Sequence, residues 1–252
     1  MSNNDASNIE VKVYKSYPLG EGILASAFVF CIIFINSFFI HHWALEAQKG
    51  EIREGLGRAA VVIATAINTA RHDSYRHVEQ MQSPEYKEDD MVLQRVVEAG
   101  AFIYAYTSIL QDGKVYFILD GSPPGDVNKD GIEDSSDLME VYADPSPDML
   151  EVFETHKPKV SKEPYTDEWG SFISAFHPLF APDGHFIGVL GVDVEAKSYF
   201  ERLAPIERAS YRAYVNGFFV AFMVGSIVWF LRKFIFVINA SRLSIYDRFK
   251  EK

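Results

Sequence analysis

Two uncharged apolar runs constrain this chain more than any other feature. Gly22 to Ile40 ("GILASAFVFCIIFINSFFI") and Ala213 to Leu231 ("AYVNGFFVAFMVGSIVWFL") each match the roughly 20 residues that an α-helix needs to cross a bilayer core. A buried core helix has a similar composition, but two such runs bracketing one polar segment read as membrane spans. The first run exceeds the h-region of a signal peptide and is followed by no A-x-A site, so it reads as an uncleaved anchor.

Flanking charge gives the orientation. Arg232, Lys233, Arg242, Arg248, Lys250 and Lys252 follow the second run, opposed only by Asp247 and Glu251, which places the C-terminal side in the cytoplasm. The first run is a weaker guide, because Lys12 and Lys15 on one side face Lys49, Arg53 and Arg58 on the other. The expected organisation is a cytoplasmic segment 1–21, a first span 22–42, an extracytoplasmic domain 43–211, a second span 212–232 and a cytoplasmic juxtamembrane tail 233–252.

The formal net charge is −11, and most of the acidic excess lies between the runs. Nucleic acid would need a basic face, so it is excluded as a partner. Cys31 is the only cysteine and sits inside the first run, so no disulfide forms within the chain.

From Trp43 to about Val78 the pattern is helical. Leu45, Ile52, Ala59 and Ala66 recur every seven residues, each followed four later by Lys49, Leu56, Ile63 and Ala70. This seam fits either packing against the domain's own sheet or a dimer contact near the membrane. Ser83-Pro84-Glu85 starts a helix to about Glu98, and Ser146-Pro147-Asp148 starts another over 146–154. "FIYAYTSIL" (102–110) and "VYFILDG" (115–121) read as strands joined at Asp112-Gly113; "FISAFHPLF" (172–180) and "FIGVLGVDV" (186–194) form a second hairpin. Asp193 reads as the cap of a helix through "EAKSYFERL", with Pro205 interrupting the way to the second run. Antiparallel pairs flanked by helices define an α+β domain.

"DVNKDGIEDSSD" (126–137) has the spacing of a calcium loop. Asp126, Asn128 and Asp130 would offer side-chain oxygens, Ile132 its carbonyl, Asp134 a direct or water-mediated contact and Asp137 the closing carboxylate, with Gly131 at the sharp turn. An aspartate at the closing position resembles dockerin-type loops. Pro123-Pro124 forbids an entering helix, so Ca2+ would act as a structural staple rather than a helix-opening switch. On the first strand, Phe102, Tyr104, Tyr106 and Ser108 share one face; Tyr104 and Tyr106 suit a ligand pocket, which Tyr116 would join, and they suit plain core equally well. His41 and His42 have no third metal ligand near them, and no G-x-S-x-G, Walker, H-E-x-x-H or Rossmann motif is present. The chain is not expected to be an enzyme.

The element order, with "SPEYKEDDMVLQRVVEAGA", "FIYAYTSILQDGKVYFILDG" and "EPYTDEWGSFISAFHPLFAPDGHFIGVLGVDVEA", resembles the single Cache (extracytoplasmic PAS-like) sensory domains of bacterial transmembrane receptors. The resemblance covers nearly all of the segment between the runs. It implies a PAS-like antiparallel sheet behind which a long N-terminal helix packs, and a small-molecule pocket on the other face. It also implies that "EPYTDEWG" closes over that pocket, with Tyr165, Asp167 and Trp169 as ligand contacts. The expected protein is a double-pass receptor module of the bacterial inner membrane, with the central domain periplasmic and a homodimer as its unit. Its output would be of histidine kinase, diguanylate cyclase or chemotaxis type. The 20 or so residues after the second run are too few for such a domain, which is expected in a longer product or a partner. The alternative is a calcium-stapled, membrane-anchored scaffold that holds a partner complex without signalling.

If the loop binds calcium, titration with Ca2+ raises the melting temperature of the 43–211 segment, and Asp126→Ala abolishes the rise. Equal responses of the two proteins refute the metal assignment.

Overall fold

The computed structural model describes residues 17–100, 102–125, 131, 133–167 and 169–250, with side chains through residue 242. They form two compact units. One is Ala44–Pro205; the other joins Met1–Trp43 to Ile206–Lys252.

Helix α1 (Pro18–Ala66) is followed by a short α2 (Thr69–His72), a 3-10 turn (Val78–Gln82) and α3 (Pro84–Glu98). Ser83 caps α3 as its sequence predicts, its Oγ accepting the Tyr86 N–H at 3.2 Å. Strands β1 (Tyr104–Gln111) and β2 (Lys114–Asp120) form the first hairpin. Asp112 and Gly113 both adopt positive φ, 52° and 75°, the two-residue turn whose twist matches the flanking strands. Then come β3 (Val141–Tyr142), α4 (Pro147–Thr155), β4 (Lys159–Val160), β5 (Tyr165–Asp167), β6 (Gly170–Phe180), β7 (Phe186–Glu195) and α5 (Ala196–Lys250). Sequence patterning locates every long element but misses β3, β4 and β5, which are too short to show a period. Pro205 does not interrupt α5; the helix runs through it.

The sheet is antiparallel, in the order β3-β2-β1-β7-β6-β4, with β5 pairing the end of β6. Alternation along the strands sorts side chains into two cores. The rear core holds Ala105, Ile109, Ile173, Leu190 and Val192 against Leu93 of α3, Tyr199 and Leu203 of α5, Ile52, Leu56 and Ile63 of α1, and Ile67 just after it. The heptad residues Ile52, Leu56 and Ile63 are therefore consumed by the domain's own sheet, while Ala66 and Ala70 stay exposed. The front core gathers Tyr104, Tyr106, Phe117, Tyr142, Phe172 and Phe176 with Met149, Val152 and Phe153 of α4.

A β-bulge breaks the β1–β2 register beside Thr107. Ser108 pairs with Phe117, but Thr107 pairs with Leu119. Ile118 and Leu119 consequently both join the rear core, and Asp120 is rephased to the front beside Phe117. The Thr107 hydroxyl compensates, accepting the Leu119 N–H at 3.0 Å and hydrogen-bonding the buried His72 Nε2 at 2.9 Å.

In the other unit, the apolar stretches of α1 and α5 run antiparallel. Gly22 and Gly225 allow near backbone contact, since a Cβ at Gly22 would lie 2.7 Å from the Gly225 carbonyl oxygen. Phe30 meets Phe218, Phe34 meets Tyr214, and Glu21 pairs with Arg232. The remaining apolar surface faces outward, with Leu24 71 % and Phe28 68 % exposed. Both helices are long and apolar enough to cross a membrane, and neither apolar stretch packs inside a globule.

Two glycines report the packing in opposite senses. A Cβ at Gly121 would meet the α3 backbone at Leu93 at 2.4 Å, whereas Gly50 on α1 has open space around it. Gly121→Ala is expected to cost about 1–3 kcal/mol in denaturant unfolding, and Gly50→Ala to gain about 0.5–1 kcal/mol.

Candidate functional site

The front face of the sheet carries a cavity. Its floor comes from alternate residues of the central strands: Tyr104 and Tyr106 of β1, Phe117 and Asp120 of β2, Phe172 of β6 and Asp193 of β7. Ser122, Asp134 and Ser136 of the β2–β3 connection, Tyr142 of β3, Asp167 of β5 and Trp169 complete it. Its unfilled space, with the mouth and adjoining solvent, is about 290 Å3. Gly191 makes room for the rings, because a Cβ there would lie 2.6 Å from the Tyr106 ring.

The aromatic groups interlock edge to face. Tyr106 meets Phe117 at 5.4 Å, Tyr104 meets Phe172 at 5.3 Å, and Trp169 stands against Phe117 at 5.7 Å and Tyr142 at 5.4 Å. The Trp169 indole N–H donates to the Glu133 carbonyl at 3.1 Å, which ties the segment after β5 to the β2–β3 connection.

Carboxylates are the unusual component. Tyr142 O–H donates to Asp167 at 2.5 Å, and Tyr104 O–H to Asp134 at 2.5 Å. Asp120 accepts from the Ser122 hydroxyl, the Ser122 N–H and the Ser136 N–H at 2.6, 2.9 and 2.7 Å. Asp193 is only 4 % exposed, and its Oδ1 has no hydrogen-bond partner. Burial pushes the Asp193 carboxyl up to about 7, helped by the charge of Asp167 and resisted by the hydroxyls of Ser174 and Tyr106. Burial raises Asp120 to about 6 against its three donors, and raises Asp167 against the Tyr142 hydroxyl and the Trp169 N–H. The phenols of Tyr106 and Tyr142 are driven upward by burial and remain O–H donors at neutral pH.

Of the ligand contacts expected from sequence, the structure brings together Tyr104, Tyr106, Asp167 and Trp169. Tyr116 is not among them. It pairs with Ile109 and lies against the rear core, so Phe117 takes the front position. Tyr165 also stands outside, its hydroxyl donating to the Asp144 carbonyl at 2.8 Å. Asp193 is no helix cap; it lies within β7 and faces the cavity. Its signal was a lone charge in the otherwise apolar "FIGVLGVDV".

Of the expected calcium ligands, Asp126, Asn128, Asp130 and Ile132 lie outside the described residues. Asp134 is buried and turned to the cavity, and Asp137 is exposed. Among the described residues no group of three or more His, Cys, Asp or Glu side chains is placed to hold a metal ion.

No protein-family model matches the chain, and no curated protein sequence matches it. Solved structures with a similar fold include the ligand-binding domain of the Campylobacter jejuni chemoreceptor Tlp3 in complex with L-valine, 14 % identical, covering 72 % of this chain and 67 % of that one, with a TM-score of 0.46. The sensory domain of the same chemoreceptor with isoleucine bound gives 14 % identity, 72 % and 66 % coverage and a TM-score of 0.46. Methyl-accepting Chemotaxis protein X gives 16 %, 70 % and 67 %, and 0.44. The chain thus spans about two thirds of the length of the structures it matches.

Asp193 sets a pH dependence. Its folded value near 7 lies above the ordinary 3.8, so its stabilising contribution is complete below about pH 4 and is lost as pH rises through 7. His72, lowered to about 4 by burial, acts oppositely and loses its contribution as pH falls from 6.5 through 4. The comparison of variants isolates the carboxyl: Asp193→Asn is expected to raise the melting temperature at pH 8 but not at pH 4, measured by thermal unfolding without added solute.

Proposed function

We propose that this chain is the extracytoplasmic small-molecule sensing module of a double-pass membrane receptor. The Ala44–Pro205 unit lies outside the cytoplasm and both termini lie within it. The observation that carries the reading is the cavity: buried carboxylates set among aromatic rings cost stability, and a scaffold would gain nothing from them. The outward apolar surfaces of α1 and α5 support membrane insertion, because water would penalise so large an exposed patch. The cationic residues after the second span support the orientation.

Signal transfer follows from chain continuity. Asp193 lies in β7, and α5 begins at Ala196 without an intervening loop. A solute that draws on Asp193 would therefore act on the strand that leads into a membrane helix. It shifts the receptor only as far as its affinity differs between the two states. The working unit is a homodimer, with the exposed Val61 and Val62 of α1 (45 % and 67 %) available to a second copy. The output is a kinase, cyclase or chemotaxis module, in the same polypeptide or a partner. The loop 126–137 would serve as a calcium staple.

Two measurements test the reading together. A tag after Lys252 is protected from protease added to intact, outer-membrane-permeabilised cells, while the central unit is cleaved. A panel of small solutes contains at least one that raises the melting temperature of the wild type but not of Trp169→Ala. Cleavage of the tag inverts the topology, and equal shifts in both proteins remove the cavity as the binding site.

A further inference from the structure

The unit formed by the two apolar helix stretches carries a cleft of its own; this inference rests on the membrane-spanning reading above. Leu19, Ile23 and Ser26 of α1 and Phe222, Ser226 and Trp229 of α5 form its walls, and the close backbone approach at Gly22 and Gly225 forms its floor. Its unfilled space, with the open side, is about 660 Å3. The Ser226 hydroxyl donates to the Phe222 carbonyl at 2.9 Å, so the cleft gains no hydrogen-bond donor from it.

On α5, Phe222, Ser226 and Trp229 recur at the spacing of one helix face, and Lys233 and Val237 continue the same line. The Lys233 ammonium lies over the Trp229 ring, 5.2 Å from its centroid. Here a second hollow, lined by Trp229, Phe230, Lys233, Phe234 and Val237, shares Trp229 with the cleft. From Phe222 to Lys233 the helical rise is roughly 16 Å. The two adjacent cations differ in their partners. Arg232 is paired with Glu21 at 2.5 Å, whereas no carboxylate among the described residues lies within ion-pair distance of Lys233.

Apolar walls penalise water, so in a bilayer an alkyl chain fills the cleft. A bare alkyl chain would leave the ammonium at its end without a counter-charge, and a zwitterionic headgroup would bring a competing cation. An anionic phospholipid answers both ends at once, and a tryptophan beside a lysine is the chemistry of a headgroup-level anchor. A second copy of the chain fits less well. Two copies related by an axis along the bilayer normal meet at equal heights, which would set Lys233 near its own equivalent.

We propose that the cleft binds one anionic phospholipid, with an acyl chain along Phe222, Ser226 and Trp229 and the phosphate accepting from the Lys233 ammonium. The lipid touches α1 and α5 together, so its occupancy bears on how the two helices pack.

The test is native mass spectrometry of the full chain released from detergent micelles that hold equal amounts of dioleoylphosphatidylglycerol and dioleoylphosphatidylcholine. One phosphatidylglycerol is expected to be retained, with about fivefold preference over phosphatidylcholine. Lys233→Gln abolishes the preference and Lys233→Arg keeps it. Arg242→Gln removes the same charge from an exposed position further along α5 and leaves the preference unchanged. Ser226→Leu, which fills the cleft, lowers retention of both lipids. Equal loss in Lys233→Gln and Arg242→Gln overturns the site in favour of diffuse attraction to the basic end of α5. Absence of a preference in the wild type, or a second copy retained in place of lipid, overturns it as well. Glycerol 3-phosphate, the headgroup chemistry without acyl chains, is expected not to displace the lipid; displacement overturns the lipid assignment. Deletion of residues 2–16, which lie outside the described residues and precede Leu19, leaves the preference in place. Its loss there would move the headgroup contact to that segment and overturn the role of Lys233. Protease protection of the tag after Lys252 decides the membrane reading separately.

Discussion

The register of β1 against β7 is the constraint on which the domain depends. Tyr104 lies opposite Asp193 and Tyr106 opposite Gly191, while Ala105 and Thr107 lie opposite Val192 and Leu190. With a side-chain period of two, this pairing sends Tyr104, Tyr106 and Asp193 to the front and Ala105, Leu190 and Val192 to the rear. A slip of one residue would place Asp193 against Leu93, Ile63 and Tyr199 and would empty the cavity of its carboxylate. Rear-core burial therefore fixes the front-face chemistry. Ile52, Leu56 and Ile63 of α1 contribute to the site through the register they enforce, although none of them touches it.

That front face carries polar groups at a cost in stability. A hydrophobic sheet surface would pack more favourably than one holding Asp120, Asp134, Asp167 and Asp193. The protein offsets part of the cost with hydroxyl and backbone donors, and leaves one oxygen of Asp193 without any. The placement of that oxygen matters as much as its chemistry, because β7 continues into α5. The buried carboxyl of Asp193 thus sits on the strand that runs into a long apolar helix.

The β-bulge beside Thr107 shows how a rear-side detail edits the front. By rephasing β2 it brings Asp120 to the cavity, and the Thr107 hydroxyl, held by His72, receives the N–H that the bulge displaces. Strict alternation from Phe117 would have turned Asp120 away. The same strand explains Tyr116: its place opposite Ile109 sends it to the rear, so a tyrosine chosen for its hydroxyl proves to be packing.

The sequence by itself determined the two apolar helices, the capped starts of α3 and α4, the Asp112-Gly113 turn and the four long strands. Each of these is encoded within a few neighbouring residues, through hydropathy period, cap chemistry or a backbone angle that glycine favours. It also marked Tyr104, Tyr106, Asp167 and Trp169, whose strand faces or local phrase were legible. Only the tertiary structure decided that Asp193 faces the cavity rather than capping a helix, that Asp120 joins it across a bulge, and that Asp134 turns inward to Tyr104. The physical reason is that a cavity is a property of strand pairing. Residues separated by 73 positions, such as Asp120 and Asp193, meet there only after the register between strands is set, and no local pattern in either segment records that register.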